Sequence, residues 1–278
     1  MSDLTSPPYL EYAHPGDDVA GAVVPTLVSG VAADLYPPAN IGNQNPAFPF
    51  KTDSDTFRLV WDFGAPVTMA SATLIHANLA AGLEGVLFEM NAADDWSAPS
   101  FSRAFTIPAY HEDDFPENAW LDLRDEAPSY RYASLAVTEA NVVPCAIGEL
   151  VLARTMRALE GTLQLDAEED EDHPLTENRT TVGVSTINVH GVRWRWIRGD
   201  VTQTVVTAER LRSWNRATQG RGYPSLIWPH LDAADEPLYV RWEQGKLPRA
   251  RIGPDGQSRF RLAWEEISRG LRPTPAAV

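Results

Sequence analysis

Arg193-Trp-Arg-Trp-Ile-Arg198 alternates charged and aromatic residues, which is typical of a half-buried β-strand. The region that contains it, Thr180 to Ile267, holds six of the nine tryptophans and further strand-like runs on both sides of one predicted helix. That helix is predicted over 208–219, because Thr207 is a suitable N-cap and Gly220 a suitable stop. The region therefore predicts an aromatic-rich β domain over 179–270, a sandwich or split barrel with one short helix.

Upstream of this region, the pattern is also that of strands. Thr56-Phe-Arg-Leu-Val-Trp-Asp-Phe63 alternates large and polar residues, and further strand-like runs follow at hairpin-like distances, for example 72–77 and 85–90. No amphipathic helix interrupts them. Regularly spaced strands with turn residues between them predict an antiparallel β-sandwich over 20–154.

Three segments fall outside the two predicted domains. Residues 1–19 are predicted to form an extended N-terminal arm, because Pro7-Pro8 and Pro15-Gly16 break any helix. Residues 155–178 contain the acidic run Asp166-Ala-Glu-Glu-Asp-Glu-Asp172, which predicts an exposed linker. Residues 271–278 are predicted to be a flexible tail.

The charge of the chain is unevenly distributed. Residues 1–150 hold 5 Lys and Arg against 21 Asp and Glu, whereas residues 179–278 hold 16 against 9. The acidic half would repel phosphate, which argues against nucleic acid as its partner. Opposite charges on the two halves are compatible with complementary surfaces between domains or between subunits.

Other features of the sequence exclude several classes of function. No run approaches the roughly 18 apolar residues of a membrane helix, and the N-terminus lacks the pattern of a secretion signal, so synthesis in the cytoplasm is expected. The single cysteine, Cys145, lies among apolar residues and is predicted to pack in the core. The histidines are scattered, and no motif for phosphate, dinucleotide or nucleophilic chemistry is present. We therefore expect no catalytic residues, no metal and no cofactor, and we predict that the protein is not an enzyme.

The predicted sandwich resembles discoidin-type, galactose-binding-domain-like modules. The resemblance depends on four landmarks in order: Asn40 and Asn43 in an early loop, Trp61-Asp-Phe-Gly64 on a strand, Tyr130-Arg-Tyr132, and Ile147-Gly-Glu-Leu150 at the end. It implies a jelly-roll-like sandwich and leaves any ligand open.

The region from Thr180 to Gly270 resembles tail-tip and distal-tail proteins of tailed bacteriophages. The shared order is strands, a helix with Leu211 and Trp214, Tyr223-Pro-Ser-Leu-Ile-Trp-Pro229, and closing strands through Phe260-Arg-Leu-Ala-Trp264. The resemblance implies a structural virion protein of the phage tail, assembled in the bacterial cytoplasm as a homo-oligomer, such as a ring, with other tail proteins as partners. The order of domains departs from the familiar distal-tail arrangement, since the discoidin-like part comes first here.

The arginines of the opening stretch form the first candidate site. Arg193, Arg195 and Arg198 are favoured as a subunit interface by the acidity of the other half, although an ordinary amphipathic strand explains them equally. Trp194 and Trp196 alternate with Arg193 and Arg195 and point away from them, which argues against nucleic-acid binding.

The alternative function is that of a lectin-like module that recognises a host-surface glycan. The discoidin-like resemblance implies that loop aromatics would stack on sugars. Among the aromatics near predicted turns, the candidates for glycan contact are Trp96, Tyr110 and Trp120.

Overall fold

The computed structural model describes the following residues: 10–46, 48–80, 82–107, 118–141, 144–159, 168–172, 175–179, 185–189, 194–202, 205–219, 222–228, 237–242, 250–252 and 258–266. Their strands, in chain order, are β1 (Leu10–Ala13), β2 (Thr26–Ser29), β3 (Phe50–Thr52), β4 (Phe57–Thr68), β5 (Ser71–Ala77), β6 (Val86–Asn91), β7 (Phe101–Ala104), β8 (Ala119–Asp122), β9 (Ser129–Val137), β10 (Cys145–Ala153), β11 (Arg157–Leu159), β12 (Glu168–Asp172), β13 (Leu175–Arg179), β14 (Ser185–Val189), β15 (Trp194–Thr202), β16 (Ser225–Trp228), β17 (Leu238–Trp242), β18 (Ala250–Ile252) and β19 (Ser258–Glu266). The helices in this part of the chain are α1 (Val205–Ala217) and a short 3₁₀ helix (Pro38–Gly42). No helix among these residues is both long enough and apolar enough to span a membrane.

Two antiparallel sheets share one hydrophobic core in the first half of the chain. Their strand orders are β3-β10-β5-β8 and β2-β4-β9-β6-β7. On β4, Phe57, Leu59 and Trp61 are buried in the shared core, whereas Asp62 is exposed. Successive strand residues point to opposite faces, so this alternation is the one that the sequence predicts. The predicted antiparallel β-sandwich is confirmed.

Strand β10 is buried along its whole length, because Leu150 and Leu152 lie in the sandwich core whereas Val151 and Ala153 lie in a second cluster shared with the other half of the chain. Its Gly148 lies so close to β5 that a Cβ atom would approach the carbonyl oxygen of Ile75 to 2.9 Å. The glycine therefore permits the close pairing of β10 and β5. Cys145, on the same strand, is buried, and the prediction that it packs in the core is confirmed.

A larger sheet dominates the second half. Its strand order is β11-β1-β16-β17-β19-β15-β12, with β18 paired to β19. Helix α1 packs on this sheet through Ala208, Leu211 and Trp214, which are spaced three residues apart and share one face. The predicted mainly β architecture with one short helix is confirmed for the described residues. The helix covers Val205–Ala217, so it begins three residues before the predicted range of 208–219.

The N-terminal arm is part of the large sheet. Strand β1 lies between β11 and β16, with Leu10 opposite Leu159 and Tyr12 opposite Ile227. The ring of Tyr12 stacks on Trp214, with centroids 3.9 Å apart and planes inclined by 8°. Residues 10–13 of the predicted arm are therefore an internal strand of this sheet, and residues 1–9 lie outside the described residues.

Part of the predicted acidic linker is also a strand. Strand β12 pairs with β15, and the register places Glu171 opposite Arg195 and Glu168 opposite Arg198. Residues 168–172 of the predicted linker therefore form a strand of the large sheet. The domain boundaries themselves stay a prediction, and the tail 271–278 lies outside the described residues.

The two halves are joined by a buried contact. A hydrophobic cluster combines Ile75 and Val151 from the sandwich with Leu226, Trp228 and Tyr239 from the large sheet. Polar contacts surround this cluster: the Asn118 side chain donates to the carbonyl of Pro237 at 2.8 Å, Arg124 pairs with Glu11 at 2.6 Å, and Arg157 pairs with Asp17 at 2.7 Å. The halves therefore meet through a small core of their own.

Candidate functional site

Three polar groups lie together on the outer face of the five-stranded sheet; two are buried and the third, Arg58, is half-buried. Arg58 lies on β4, Ser134 on β9 and Glu89 on β6, and each points away from the sandwich core because its neighbours point into it. Arg58 Nη1 donates to the Glu89 carboxylate and, at 2.8 Å, to Ser134 Oγ, while the Ser134 hydroxyl donates to Glu89 at 3.0 Å. The three side chains hold the guanidinium of Arg58 in one place.

The indole of Trp96 lies over this guanidinium. The loop between β6 and β7 carries Trp96 back over the sheet, and the Cζ atom of Arg58 is 5.2 Å from the ring centroid. The indole Nε1–H donates to Asp94 Oδ1 at 2.8 Å. A cation beneath the ring and a satisfied N–H hold a half-exposed aromatic surface in a fixed orientation.

The rest of that loop is anchored to the sheet. The Asn91 amide donates to the carbonyl of Asp95 at 2.6 Å and accepts from Ser100 Oγ at 2.7 Å. Asp95 Oδ1 accepts from both the backbone N–H and the hydroxyl of Ser97, and the backbone bond is the larger cause of the lowered pKa of Asp95. The loop is thus ordered by its own hydrogen bonds.

A second aromatic side chain lies on the same face. Tyr132 is the register partner of Asn91, and the guanidinium of Arg131 lies 4.8 Å from the centroid of its ring. Arg131 donates two hydrogen bonds to Asp62, both at 2.7 Å, and these lower the pKa of that exposed carboxyl to about 2. Asp62 is therefore ionised at neutral pH.

We call the following residues the outer-face site: Arg58, Asp62, Asp94, Asp95, Trp96, Arg131 and Tyr132. It combines half-exposed aromatic rings with exposed carboxylates. Sugar rings offer C–H groups on their faces and hydroxyl groups at their edges. Aromatic faces pack on the C–H groups, and carboxylates accept hydrogen bonds from the hydroxyls.

The residues predicted for glycan contact are in different places. Trp96 belongs to the outer-face site. Trp120 lies on β8 and packs against Trp228 at the junction of the two halves, with ring centroids 5.5 Å apart. Tyr110 lies outside the described residues. The contact roles stay predictions.

No sequence motif marks Arg58 or Tyr132 as a site residue. The strand period could have shown that both point outward, but their proximity to Trp96 depends on the pairing of β4, β9 and β6 and on the path of the loop. The interface predicted for the arginine strip also stays a prediction: the backbone of Arg195 and Arg198 lies in β15, and Arg193 lies outside the described residues.

Several titratable groups are buried close to the junction of the two halves. His14, Asp18 and Tyr239 line a small cavity there, and Glu149 lies nearby on β10. Burial raises the pKa of Glu149 to about 9, although the backbone of Gln44 opposes the shift, and burial likewise raises the pKa of Asp18 to about 6. Both carboxyls are thus easier to protonate in the folded protein. No group of three His, Cys, Asp or Glu side chains that could hold a metal ion is found among the described residues.

No protein-family model matches this chain, and no curated protein matches it. Among solved structures, it is similar to a fucose-binding module of Streptococcus pneumoniae, with 11% identity and a TM-score of 0.35 over 49% of this chain and 96% of that chain. It is also similar to the lectin domain of lectinolysin complexed with the Lewis b antigen, with 14% identity and a TM-score of 0.36 over 48% and 93% of the two chains. A third is chitosan-binding module 1 of a chitosanase/glucanase from Paenibacillus, with 12% identity and a TM-score of 0.32 over 48% and 96%. All three are carbohydrate-binding modules, and none is a phage tail protein.

Proposed function

We propose that this protein binds a carbohydrate through the outer-face site and has no catalytic role there. The observation that supports this proposal is the half-exposed indole of Trp96, which is packed on Arg58 and hydrogen-bonded through Nε1 to Asp94. An aromatic ring that is held in place before the ligand arrives loses little conformational freedom on binding. This is the property that a sugar-stacking platform needs.

The surroundings of the ring supply the polar contacts. The exposed carboxylates of Asp94 and Asp95 are adjacent to the indole, and each is oriented by a hydrogen bond within the loop. Each has a second oxygen that is able to accept from a sugar hydroxyl. Arg131 and Asp62 add a donor and an acceptor beside Tyr132. The proposed complex is therefore a ring stacked on Trp96, with its hydroxyls directed toward these groups.

The first prediction tests this platform. Trp96→Ala should weaken glycan binding by about tenfold or more, because truncating an aromatic anchor removes a large share of the binding energy. A glycan array would identify the ligand, and isothermal titration would then compare the variant with the wild-type protein.

Tyr223→Ala is the matched control. Tyr223 is 40% exposed and follows helix α1 in the other half, so its removal should leave glycan affinity unchanged. The proposal is wrong if the wild-type protein binds no glycan on a broad array, or if Trp96→Ala binds as tightly as the wild type.

A second candidate function is the predicted one, a structural component of a phage tail located in the virion. The observation that favours it is the set of large apolar side chains exposed in the sandwich, since such surfaces commonly serve assembly. A tail component should bind other tail proteins or form closed rings of a single size, visible in negative-stain images. A protein that stays monomeric with and without tail proteins would argue against this function.

A further inference from the structure

Five large apolar side chains are exposed in one segment of the sandwich. Their exposed fractions are Val24 70%, Val28 54%, Val31 64%, Leu35 92% and Phe48 61%. We call these residues the apolar patch. Single exposed apolar residues are ordinary, but five within 25 positions of one segment are more than solvent exposure alone favours, and an interaction surface would account for them.

The backbone of this segment is held in place. Val31 N donates to Ser54 Oγ at 2.9 Å, and the carbonyl of Val31 accepts from Thr52 Oγ1 at 2.7 Å and from Asp53 N at 3.0 Å. Lys51 N likewise donates to the carbonyl of Tyr36 at 3.3 Å. The patch is therefore presented by a hydrogen-bonded framework.

Two of the apolar side chains lie at local backbone irregularities. Val28 lies where the register of β2 against β4 shifts between Leu27 and Ser29. Leu35 has a φ of 68°, a conformation that is unfavourable for leucine. In the isolated chain, this conformation is not compensated by burial of the side chain. Burial against a partner would supply that compensation.

Acidic residues surround the patch. Asp34 is next to Leu35, and Asp53 and Asp55 lie on the segment that is hydrogen-bonded to Val31. All three are exposed. The one cation described in this framework, Lys51, is placed over the ring of Tyr36 at 3.9 Å. The patch thus favours a partner surface that is apolar and positively charged.

This chain carries such a surface on its other half. On the exposed side of helix α1, Arg212 and Arg216 are four residues apart, and Val206 and Tyr223 are each 40% exposed at the two ends. No ion pair of either arginine is found in the part of the chain that the structure describes. Glu209 is the acidic residue on this side of the helix. The two arginines outnumber it, so the exposed side of the helix carries a net positive charge. We call Val206, Arg212, Arg216 and Tyr223 the helix surface.

We infer that the apolar patch of one copy binds the helix surface of a second copy, head to tail. The complementary charge of the two surfaces points to this occupant. The charge distribution of the chain does so too: residues 1–150 hold 5 basic and 21 acidic residues, whereas residues 179–278 hold 16 basic and 9 acidic residues. Each copy carries one apolar patch and one helix surface, so two different surfaces meet at every contact. Such a heterologous contact generates closed rings or open filaments. This inference goes beyond both candidate functions, because the contact requires neither a glycan nor a virion.

Charge reversal on each surface tests the inference. One variant carries Asp53→Lys and Asp55→Lys, and the other carries Arg212→Glu and Arg216→Glu; all four side chains are exposed. Each variant alone places like charges across the contact and should weaken self-association roughly tenfold or more. In an equimolar mixture, opposite charges return wherever copies of the two variants alternate, so the mixture should associate again in sedimentation velocity although each variant alone does not. Circular dichroism of each variant would verify that the fold is retained.

Salt provides an independent readout. Raising the salt concentration from about 0.05 M to about 0.5 M should shift the wild-type protein toward the monomer, because contacts between exposed charges are screened. A wild-type protein that stays monomeric at low salt and high concentration overturns the inference. So does association that both variants retain, or a mixture that stays dissociated. Glycan titration of the same variants separates this result from the proposed function, since neither surface includes the outer-face site.

Discussion

Trp214→Ala should lower the free energy of unfolding by about 3–5 kcal/mol, as expected for removing a large aromatic side chain from a packed core. Trp214 is fully buried and lies between Tyr12 and two other tryptophans, with ring centroids 3.9 Å from Tyr12, 4.9 Å from Trp242 and 5.7 Å from Trp264. Its Nε1–H donates to Ser225 Oγ at 2.8 Å, so the variant also leaves that hydroxyl without this partner. One side chain therefore connects the helix, the N-terminal strand and the large sheet.

Denaturant unfolding followed by far-ultraviolet circular dichroism would measure this effect. Trp96→Ala is the matched control, because the half-exposed Trp96 lies outside both cores and its loss should cost much less. Trp214→Phe should fall between the two, since it keeps an aromatic ring and loses the hydrogen bond. Equal unfolding midpoints for Trp214→Ala and Trp96→Ala would contradict the packing described above.

Glu149→Gln should stabilise the protein at neutral and alkaline pH. Burial raises the pKa of this carboxyl from 4.5 to about 9, so the folded state holds a proton that the unfolded state releases between those values. Stability from this group is therefore fully present below pH 4.5 and is lost as the pH rises toward 9. Glutamine resembles the protonated form and does not titrate, so the gain at pH 7 should be on the order of 3 kcal/mol.

Thermal unfolding between pH 5 and pH 9 would show the effect as a flatter stability profile in the variant. The buried carboxyl of Asp18, whose pKa is raised to about 6, should still contribute a slope in the acidic part of this range. Glu139→Gln, at an exposed position, is the control and should leave the profile unchanged. A Glu149→Gln profile parallel to that of the wild type would show that Glu149 does not titrate with folding.

The local elements were predictable because their signals are local. The alternation of Phe57, Leu59 and Trp61 with outward residues predicts a strand, and the structure places those three side chains in the core. The spacing of Leu211 and Trp214 predicts the buried face of α1, although the helix begins at Val205. For the candidate site, the position of Trp96 near a predicted turn indicates a glycan-contact residue, whereas no sequence pattern indicates Arg58, the arginine beneath it.

Residue type and short-range period are enough to predict the mainly β composition, the helix with its buried face, and the opposite charges of the two halves. Three features emerge only in the folded chain: β1 joins the large sheet, acidic β12 pairs with β15, and Trp96 lies on Arg58. Those pairings join residues far apart in the chain, such as Leu10 and Leu159, whose contact no local pattern encodes. The burial that stabilises such pairings exists only once the strands have met.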